Sequence, residues 1–176
     1  ARIASNDDDV MLVTNSGRAI RFPATDVRVF NSRASVGVRG IKLNGDDKVV
    51  SMSILRHFDA TSDERSAYLK MRRAVAGLAD DADTPAEDEE VNANATISQE
   101  RYAQMSAAEN LLLTISEKGS GKLSSSHDYP VRGRGGLGVA AMDRAMRGGD
   151  IVASFPVELD DQIMLATSKG QSIRVP

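Results

Sequence analysis

Two loops of this chain place an arginine among small residues, an arrangement suited to contacting phosphate groups. Residues 31–37 read NSRASVG and carry Arg33, and residues 132–138 read RGRGGLG and carry Arg134. A phosphate near such a loop can reach backbone N–H groups as well as the guanidinium. The small residues of the second loop are its glycines, Gly133, Gly135, Gly136 and Gly138. The sequence therefore predicts two related anion-contacting loops.

Other reactive residues occur in contexts that favour structural roles. The run from Ser124 to His127 sets hydroxyls beside an imidazole, but sequence neighbours rarely share catalytic geometry and no third group is indicated. Residues 119–122, GSGK, lack the spacing of a phosphate-binding loop and are typical of a hairpin turn. The acidic pairs at 7–8 and 160–161 head two hairpins, which favours a turn or strand-start role. No catalytic residue is predicted.

Composition limits the classes of protein to consider. The 176 residues include no cysteine and two histidines, which excludes a disulfide framework and makes a metal site unexpected. No apolar run approaches the roughly 18 residues of a membrane span, and the start shows no secretory signal. We therefore expect a cytoplasmic protein without a membrane partner.

A repeated hairpin must position the two loops. Residues 7–23, DDDVMLVTNSGRAIRFP, recur at 160–176 as DDQIMLATSKGQSIRVP, with nine of seventeen positions identical, and a weaker copy lies at 110–123. Each copy is an apolar run, a polar cluster with one glycine, and a short segment carrying a basic residue. This pattern predicts a β-hairpin written three times, with Gly17 and its counterparts supplying the positive φ of the turn.

Each module is predicted to contain about four short strands, the content of one propeller blade. The strands expected in the first module are residues 10–13, 20–22, 36–43 (half-exposed) and 49–55. The modules run over residues 7–55 (first blade), 56–107 (insertion), 108–156 (second blade) and 157–176 (opening hairpin of a third). Gly119 and Gly170 are 51 positions apart, which sets the length of the repeat unit.

The insertion has a different composition from the modules. A capping-box pattern at residues 61–64 and a glycine at position 77 bound one predicted helix, and Ser98 could cap a second helix that carries Tyr102 and Met105 back toward the second module. Residues 80–90 include seven acidic side chains, which favours a solvated linker. Residues 57–107 have a net charge of −6, whereas the other residues sum to +3. A tolerated surface excursion is the favoured interpretation, and a contact arm or a guard against misplaced DNA is the alternative.

The repeated strings resemble one known family. The strings DDDVMLVTNSGRAIRF, VGVRGIKL and DDKVVSM of the first module, with LLLTISEKGSGKL, DYPVRGRGGLGV and GDIVASFPV of the second, look like blades of the C-terminal domain of the bacterial DNA gyrase A protein. The resemblance covers about 120 of the 176 residues. The related domain of topoisomerase IV is the second possibility, but the regular blades and their mutual similarity favour gyrase.

The resemblance implies an all-β fold, a β-pinwheel of propeller-like blades, here as a partial domain interrupted by the α-helical insertion. It implies that duplex DNA wraps around a basic rim and that the complete enzyme uses ATP to introduce negative supercoils. The partners implied are double-stranded DNA, the remainder of the gyrase A protein and the gyrase B protein, and the setting is the bacterial nucleoid. The resemblance places the DNA-cleaving tyrosine, ATP and Mg²⁺ in other parts of the enzyme, so no cofactor and no small-molecule substrate are expected here.

Residues 132–138 resemble the glycine-rich box of that family in degenerate form. Arg132, Gly133 and Leu137 stand where the family pattern has glutamine, arginine and a final basic residue. We therefore predict a DNA-contacting loop without the full role of the box. The predicted DNA-binding residues are Arg33, Arg39 and Lys42 in the first module and Lys122, Arg132, Arg134 and Arg144 in the second.

Arg21 and Arg174 match in the repeated hairpin but rank below the loops as DNA contacts. Each follows an isoleucine on a predicted strand, where an arginine can pair with the acids of its own blade. The alternative function is a propeller-like scaffold that binds another protein through its acidic helical insertion.

Overall fold

The computed structural model describes residues 1–77, 92, 94–143, 145 and 148–176. Within these ranges the chain forms, in order, β1 (Asp8–Thr14), β2 (Arg18–Pro23), β3 (Val49–Arg56), α1 (Ser62–Val75), α2 (Gln99–Ala108), β4 (Leu111–Ser116), β5 (Gly121–Ser125), β6 (Val139–Ala140), β7 (Ile151–Val157), β8 (Ile163–Ala166) and β9 (Ser172–Val175). Short 3-10 turns follow β2 at Ala24–Asp26 and β5 at Ser126–Asp128. No helix in the described ranges is long and apolar enough to cross a membrane.

The repeated hairpin forms in all three predicted copies. β1 pairs with β2, β4 with β5, and β8 with β9, each antiparallel. The turn glycines Gly17, Gly119 and Gly170 have φ values of 84°, 84° and 79°. A residue with a Cβ adopts this left-handed conformation only at a cost, so glycine at this position fixes the turn. The hairpin prediction is confirmed.

The four-stranded sheet of the first module includes one strand from the second module. Its order is β3-β1-β2-β6, and β6 pairs with β2 through Arg18 opposite Ala140 and Ala19 opposite Val139. The second sheet has the order β5-β4-β7, and β8 and β9 form a two-stranded sheet. A mostly β architecture of blade-like sheets, interrupted by two helices, agrees with the predicted fold class.

The strand expected at residues 36–43 is wrong. No strand is assigned to these residues, although its counterpart in the second module is β6. β6 forms because β2 of the first module offers it an edge to pair with, whereas residues 36–43 pair with no strand. Instead, the Gly40 carbonyl and the Lys42 N–H bond to the loop of the second module, and Ile41 packs with Ile20 and Phe22.

One core joins the two modules. Met11, Val13 and Leu55 of the first sheet cluster with Leu112 and Ile151 of the second, all nearly inaccessible to solvent. The Ser51 hydroxyl donates to the Ser154 carbonyl, so β3 and β7 lie against each other. The core holds the two blades as neighbours and thereby sets the positions of their loops.

The insertion folds into two packed helices. Thr61 caps α1 with both halves of a capping box, Ser98 caps α2, and Gly77 has a φ of 67° just beyond α1, as the local signals predicted. Met105 is fully buried against Tyr68 and Leu69. The two helices therefore pack against each other, and His127 of the second module contacts both of them. The predicted acidic linker at residues 80–90 lies outside the described residues.

Candidate nucleic-acid interface

The loop of the first module presents Arg33 at the tip of a tight turn. The Ser35 N–H donates to the Ser32 carbonyl (3.2 Å), and the Ala34 N–H donates to the Ser32 hydroxyl (3.2 Å). These bonds form because serine competes well for local backbone donors in turns. The Arg33 side chain is exposed at this turn. Its loop position suits contact with a large external anion.

The glycine-rich loop of the second module docks on the first module. The Gly135 N–H donates to the Gly40 carbonyl (2.6 Å), and the Lys42 N–H donates to the Gly136 carbonyl (2.8 Å). Arg134, although exposed, donates from Nε to the Asp26 carbonyl (3.0 Å) and from one terminal nitrogen to the Arg39 carbonyl (3.3 Å). The sequence predicted that phosphate would reach the N–H groups of this loop, but the Gly135 N–H is already bonded to protein.

One of the predicted loop glycines is required by close approach between the blades. Gly138 has a φ of 71°, and a Cβ added there would collide with the Ala19 carbonyl on β2. Gly135 has a φ of 84°, which favours glycine, but a Cβ there would make only an ordinary contact with the Arg39 carbonyl at 3.6 Å. Gly133 and Gly136 are exposed, and the nearest contact of a Cβ at Gly136 would be Ile20 at 3.7 Å. Gly138 therefore permits the close approach, and Gly135 permits the backbone conformation of the loop.

The docking gathers three of the seven predicted cations at the junction between the modules. We call this set the junction cations, and its members are Arg39, Lys42 and Arg134, all exposed. Arg39 and Lys42 also line an open groove of about 590 Å³ whose floor includes Leu12 and Ile41. Loop docking thus combines cations from two modules on one surface.

Arg132 and Lys122 are not members of the junction cations. The Arg132 backbone N–H donates to the Arg21 carbonyl (2.8 Å), which places Arg132 beside β2 at a half-buried position. Lys122 is half-buried on β5, opposite Thr114. Arg144 lies outside the described residues.

A buried ion pair on the first hairpin links the two modules and the insertion. Arg21 and Asp9, 3% and 0% exposed, are 2.7 Å apart from Nε to Oδ2. The two terminal nitrogens of Arg21 donate to the Ser126 carbonyl and the Arg56 carbonyl, both at 2.8 Å. Desolvation lowers the pKa of Arg21, and the neighbouring carboxylate opposes that shift. This is the pairing with an acid of its own blade that the sequence indicated for Arg21.

Sequence reasoning missed Asp9 and His57. The other carboxylate oxygen of Asp9 lies 2.7 Å from His57 Nδ1, and this hydrogen bond is the main cause that raises the pKa of His57. A signal for the ion pair was present in the hairpin register. Asp9 faces Pro23 across the strands, so Arg21 is its diagonal neighbour, within reach of a long side chain. Nothing in the sequence indicated His57.

The serine–histidine run has a packing role. Ser125 caps the 3-10 turn, and His127 Nε2 donates to the Met105 carbonyl (2.9 Å) of α2. Burial lowers the pKa of His127, so its ring is neutral at neutral pH. The ring also packs edge-on against Tyr68 at 4.9 Å. These contacts fix the insertion to the second blade.

The repeated blades match a known family. A family model described as "DNA gyrase C-terminal domain, beta-propeller" matches residues 8–56, 110–155 and 161–176, which is more than half of the chain. The chain belongs to this family. The predicted resemblance to the gyrase domain is confirmed.

Curated gyrase relatives agree with this membership. The DNA gyrase A protein of Granulibacter bethesdensis is 48% identical over 180 residues, covering 96% of this chain and 19% of the relative. The DNA gyrase A protein of Rickettsia bellii is 39% identical over 171 residues, covering 96% of this chain and 18% of the relative. The chain therefore spans about a fifth of the length of these gyrase proteins.

Two solved structures share the gyrase-domain fold. A DNA gyrase A C-terminal domain aligns with a TM-score of 0.57 and 20% identity, covering 99% of this chain and 39% of that domain. A C-terminal domain of DNA topoisomerase IV aligns with a TM-score of 0.61 and 17% identity, covering 99% and 38%. At these identities the structures establish the fold alone. The sequence relatives named above are gyrase A proteins.

Proposed function

We propose that this chain is a DNA-binding and DNA-wrapping module of a DNA gyrase A protein. Duplex DNA is held through phosphate contacts of the basic loops, and the module supports ATP-dependent negative supercoiling by the whole enzyme without itself catalysing a reaction. The proposed partners are duplex DNA, the remainder of the gyrase A protein and the gyrase B protein, in the bacterial cytoplasm at the nucleoid. ATP and Mg²⁺ are used by other parts of the enzyme.

The convergence of the junction cations carries this proposal. Arg39 and Lys42 come from the first module and Arg134 from the second, yet the docked glycine loop brings them together. Arg33, exposed in its own turn, is proposed as a further contact. Arginines among small residues contact phosphates without reading bases, so binding is expected to tolerate sequence and to favour DNA that bends easily. Arg134 both contributes charge and holds the loop against the first module.

The proposal is tested by fluorescence anisotropy with a mixed-sequence duplex at several salt concentrations. Each phosphate contact contributes about 0.9 to the slope of log affinity against log salt, so Arg33 and the three junction cations together contribute about −3.6 to the slope. Affinity then falls roughly 100-fold between about 50 and 200 mM salt. Absence of binding at low salt, or binding that ignores salt, would overturn the proposal and leave the protein-scaffold alternative.

Two variants separate the contribution of charge from the contribution of loop docking. Arg33→Gln removes an exposed charge and is expected to reduce the salt slope by about 0.9 while leaving the melting temperature unchanged. Arg134→Lys keeps the charge but loses the fork that reaches two carbonyl groups, so it is expected to weaken loop docking and binding together. Arg2→Gln, an exposed position near the start of the described chain, is the charge-matched control. An Arg33→Gln variant indistinguishable from this control would remove Arg33 from the interface.

A further inference from the structure

The negative charge of the insertion is confined to part of its sequence. Seven of the acidic residues between positions 57 and 107 lie at 80–90, whereas all five basic residues lie in α1 or α2. Helix α1 alone carries Arg65, Lys70, Arg72 and Arg73, and its two acids, Asp63 and Glu64, are in the first turn. The C-terminal half of α1 is therefore a basic segment inside an insertion that is acidic on average.

Helix α1 is held beside the strand that carries Lys122. It contacts the 3-10 turn Ser126–Asp128, which directly follows β5, and Tyr68 packs against the His127 ring of that turn. Tyr68 also lies 5.0 Å from the Tyr102 ring of α2. These buried aromatic contacts fix the helix relative to the second blade, so its exposed side chains have a defined position near β5.

The basic residues of α1 differ in their contacts and in their exposure to solvent. Arg72 Nε lies 3.1 Å from the Glu109 carboxylate. Lys70 is exposed, and Arg73, three positions later and therefore on the same face of the helix, is half-buried. A helix C-terminus favours basic residues in any case, because they offset the partial negative charge of its carbonyl groups. That preference does not account for a third cation on a neighbouring strand.

Lys122 and the end of α1 act on the same carboxyl group. Burial raises the pKa of Asp128, and the charges of Lys122, Arg73 and Arg72 each lower it. All three cations therefore lie within electrostatic reach of Asp128. Lys122 was predicted to contact DNA from the blade alone, and α1 contacts the turn that follows the strand of Lys122.

We propose that Lys70 and Arg73 of α1, together with Lys122 of β5, form a second phosphate-contacting patch on the second blade. The insertion then extends the duplex-binding surface, which is the opposite of a guard that repels DNA. This inference rests on the proposed DNA-binding function and names a further site for it. The patch contacts the sugar–phosphate backbone, because lysine and arginine side chains neutralise phosphates independently of the base sequence.

The test uses the whole chain with Lys70→Gln, Arg73→Gln and the double variant in the same anisotropy titration. Each lost contact is expected to reduce the magnitude of the salt slope by about 0.9, hence about 1.8 for the double variant, with affinity at about 50 mM salt reduced several-fold. Lys48→Gln is the matched control for Lys70→Gln. Lys48 is exposed and lies just before β3, and the insertion begins just after β3. The eight residues of this strand place its two ends about 25 Å apart.

The outcomes distinguish the patch from general electrostatics and from the underlying function. Retained wild-type binding with no change in the double variant, or an equal effect of Lys70→Gln and Lys48→Gln, would overturn the patch while leaving DNA binding intact. An increase in affinity on removing Lys70 and Arg73 would favour the guard interpretation and also overturn the patch. No binding by the unmodified chain would overturn both proposals. Thermal unfolding of each variant confirms that it is folded.

Discussion

Replacing Arg21 by methionine tests the buried ion pair that links the modules. Arg21 makes three hydrogen bonds of 2.7, 2.8 and 2.8 Å, to Asp9, the Ser126 carbonyl and the Arg56 carbonyl. Methionine fills much of the volume but leaves a fully buried carboxylate and two carbonyl groups without these donors. Breaking a buried pair by removing one partner costs about 3–5 kcal/mol of unfolding free energy. For a domain of this size the melting temperature should fall by roughly 6–20 °C.

The assay is urea unfolding followed by circular dichroism, with the free energy obtained by linear extrapolation. Arg174→Met is the control, because Arg174 is the matching arginine of the third hairpin and is exposed. Its effect is expected to stay within about 0.5 kcal/mol. The Arg21→Met, Asp9→Asn double variant should be less destabilised than the sum of the single variants, by roughly 0.5–3 kcal/mol, since it also removes the buried carboxylate charge that Arg21 neutralises.

An Arg21→Met loss below about 1 kcal/mol, the value typical of an exposed ion pair, would refute this reasoning. Strict additivity of the two single variants would refute it independently, because the pair would then carry no mutual interaction.

Three further predictions concern the titrating histidine, the docked loop and the insertion. Because the pKa of His57 is raised, its contribution to stability is fully present below about pH 6.5 and is lost as pH rises through the folded-state pKa. The difference in unfolding free energy between the wild type and His57→Gln should therefore shrink from about pH 5.5 to 8.5. A constant difference would contradict the assignment. Gly138→Ala should lower the free energy of unfolding in urea by at least about 2 kcal/mol, because of its left-handed φ and its collision with a β2 carbonyl. Gly37→Ala is the control at the matching position, where a Cβ meets no atom within 4 Å, and it should be nearly neutral. Met105→Ala should lower the unfolding free energy by about 2–5 kcal/mol, because the side chain is fully buried. Val75 is 79% exposed, so Val75→Ala should change it little when both variants are compared by thermal unfolding.

Features encoded within a few residues could be predicted from the sequence. The caps at Thr61 and Ser98 and the turn at Gly17 depend on local hydrogen bonds and on one backbone conformation, and the structure contains all three. The repeat indicated the blade-like sheets for the same reason, since each copy carries its own hairpin signal. Local signals of this kind do not depend on knowing the partner in space.

Features that depend on another module could not be read in this way. Residues 36–43 have the alternation of a strand, yet a strand needs a neighbouring edge, and the pattern does not state where that edge lies. The bonds of Gly135 are a similar case, because their acceptor is Gly40, ninety-five positions earlier in the chain. The DNA contacts of Arg33 and Arg134 remain predictions that titration must test.

The loan of β6 to the first sheet has a consequence for how such a chain can evolve. Since the hairpin of one unit receives its fourth strand from the unit that follows, the boundary of the repeat in the gene does not coincide with the boundary of the sheet. A duplicated unit inserted between two others would accept a strand from its successor and give one to its predecessor, so every sheet would stay complete. Deletion of a whole unit would likewise leave every sheet complete. The number of units can therefore change in whole units, of 51 residues by the spacing of Gly119 and Gly170, whereas a duplication that ends within a unit would leave a hairpin without its fourth strand.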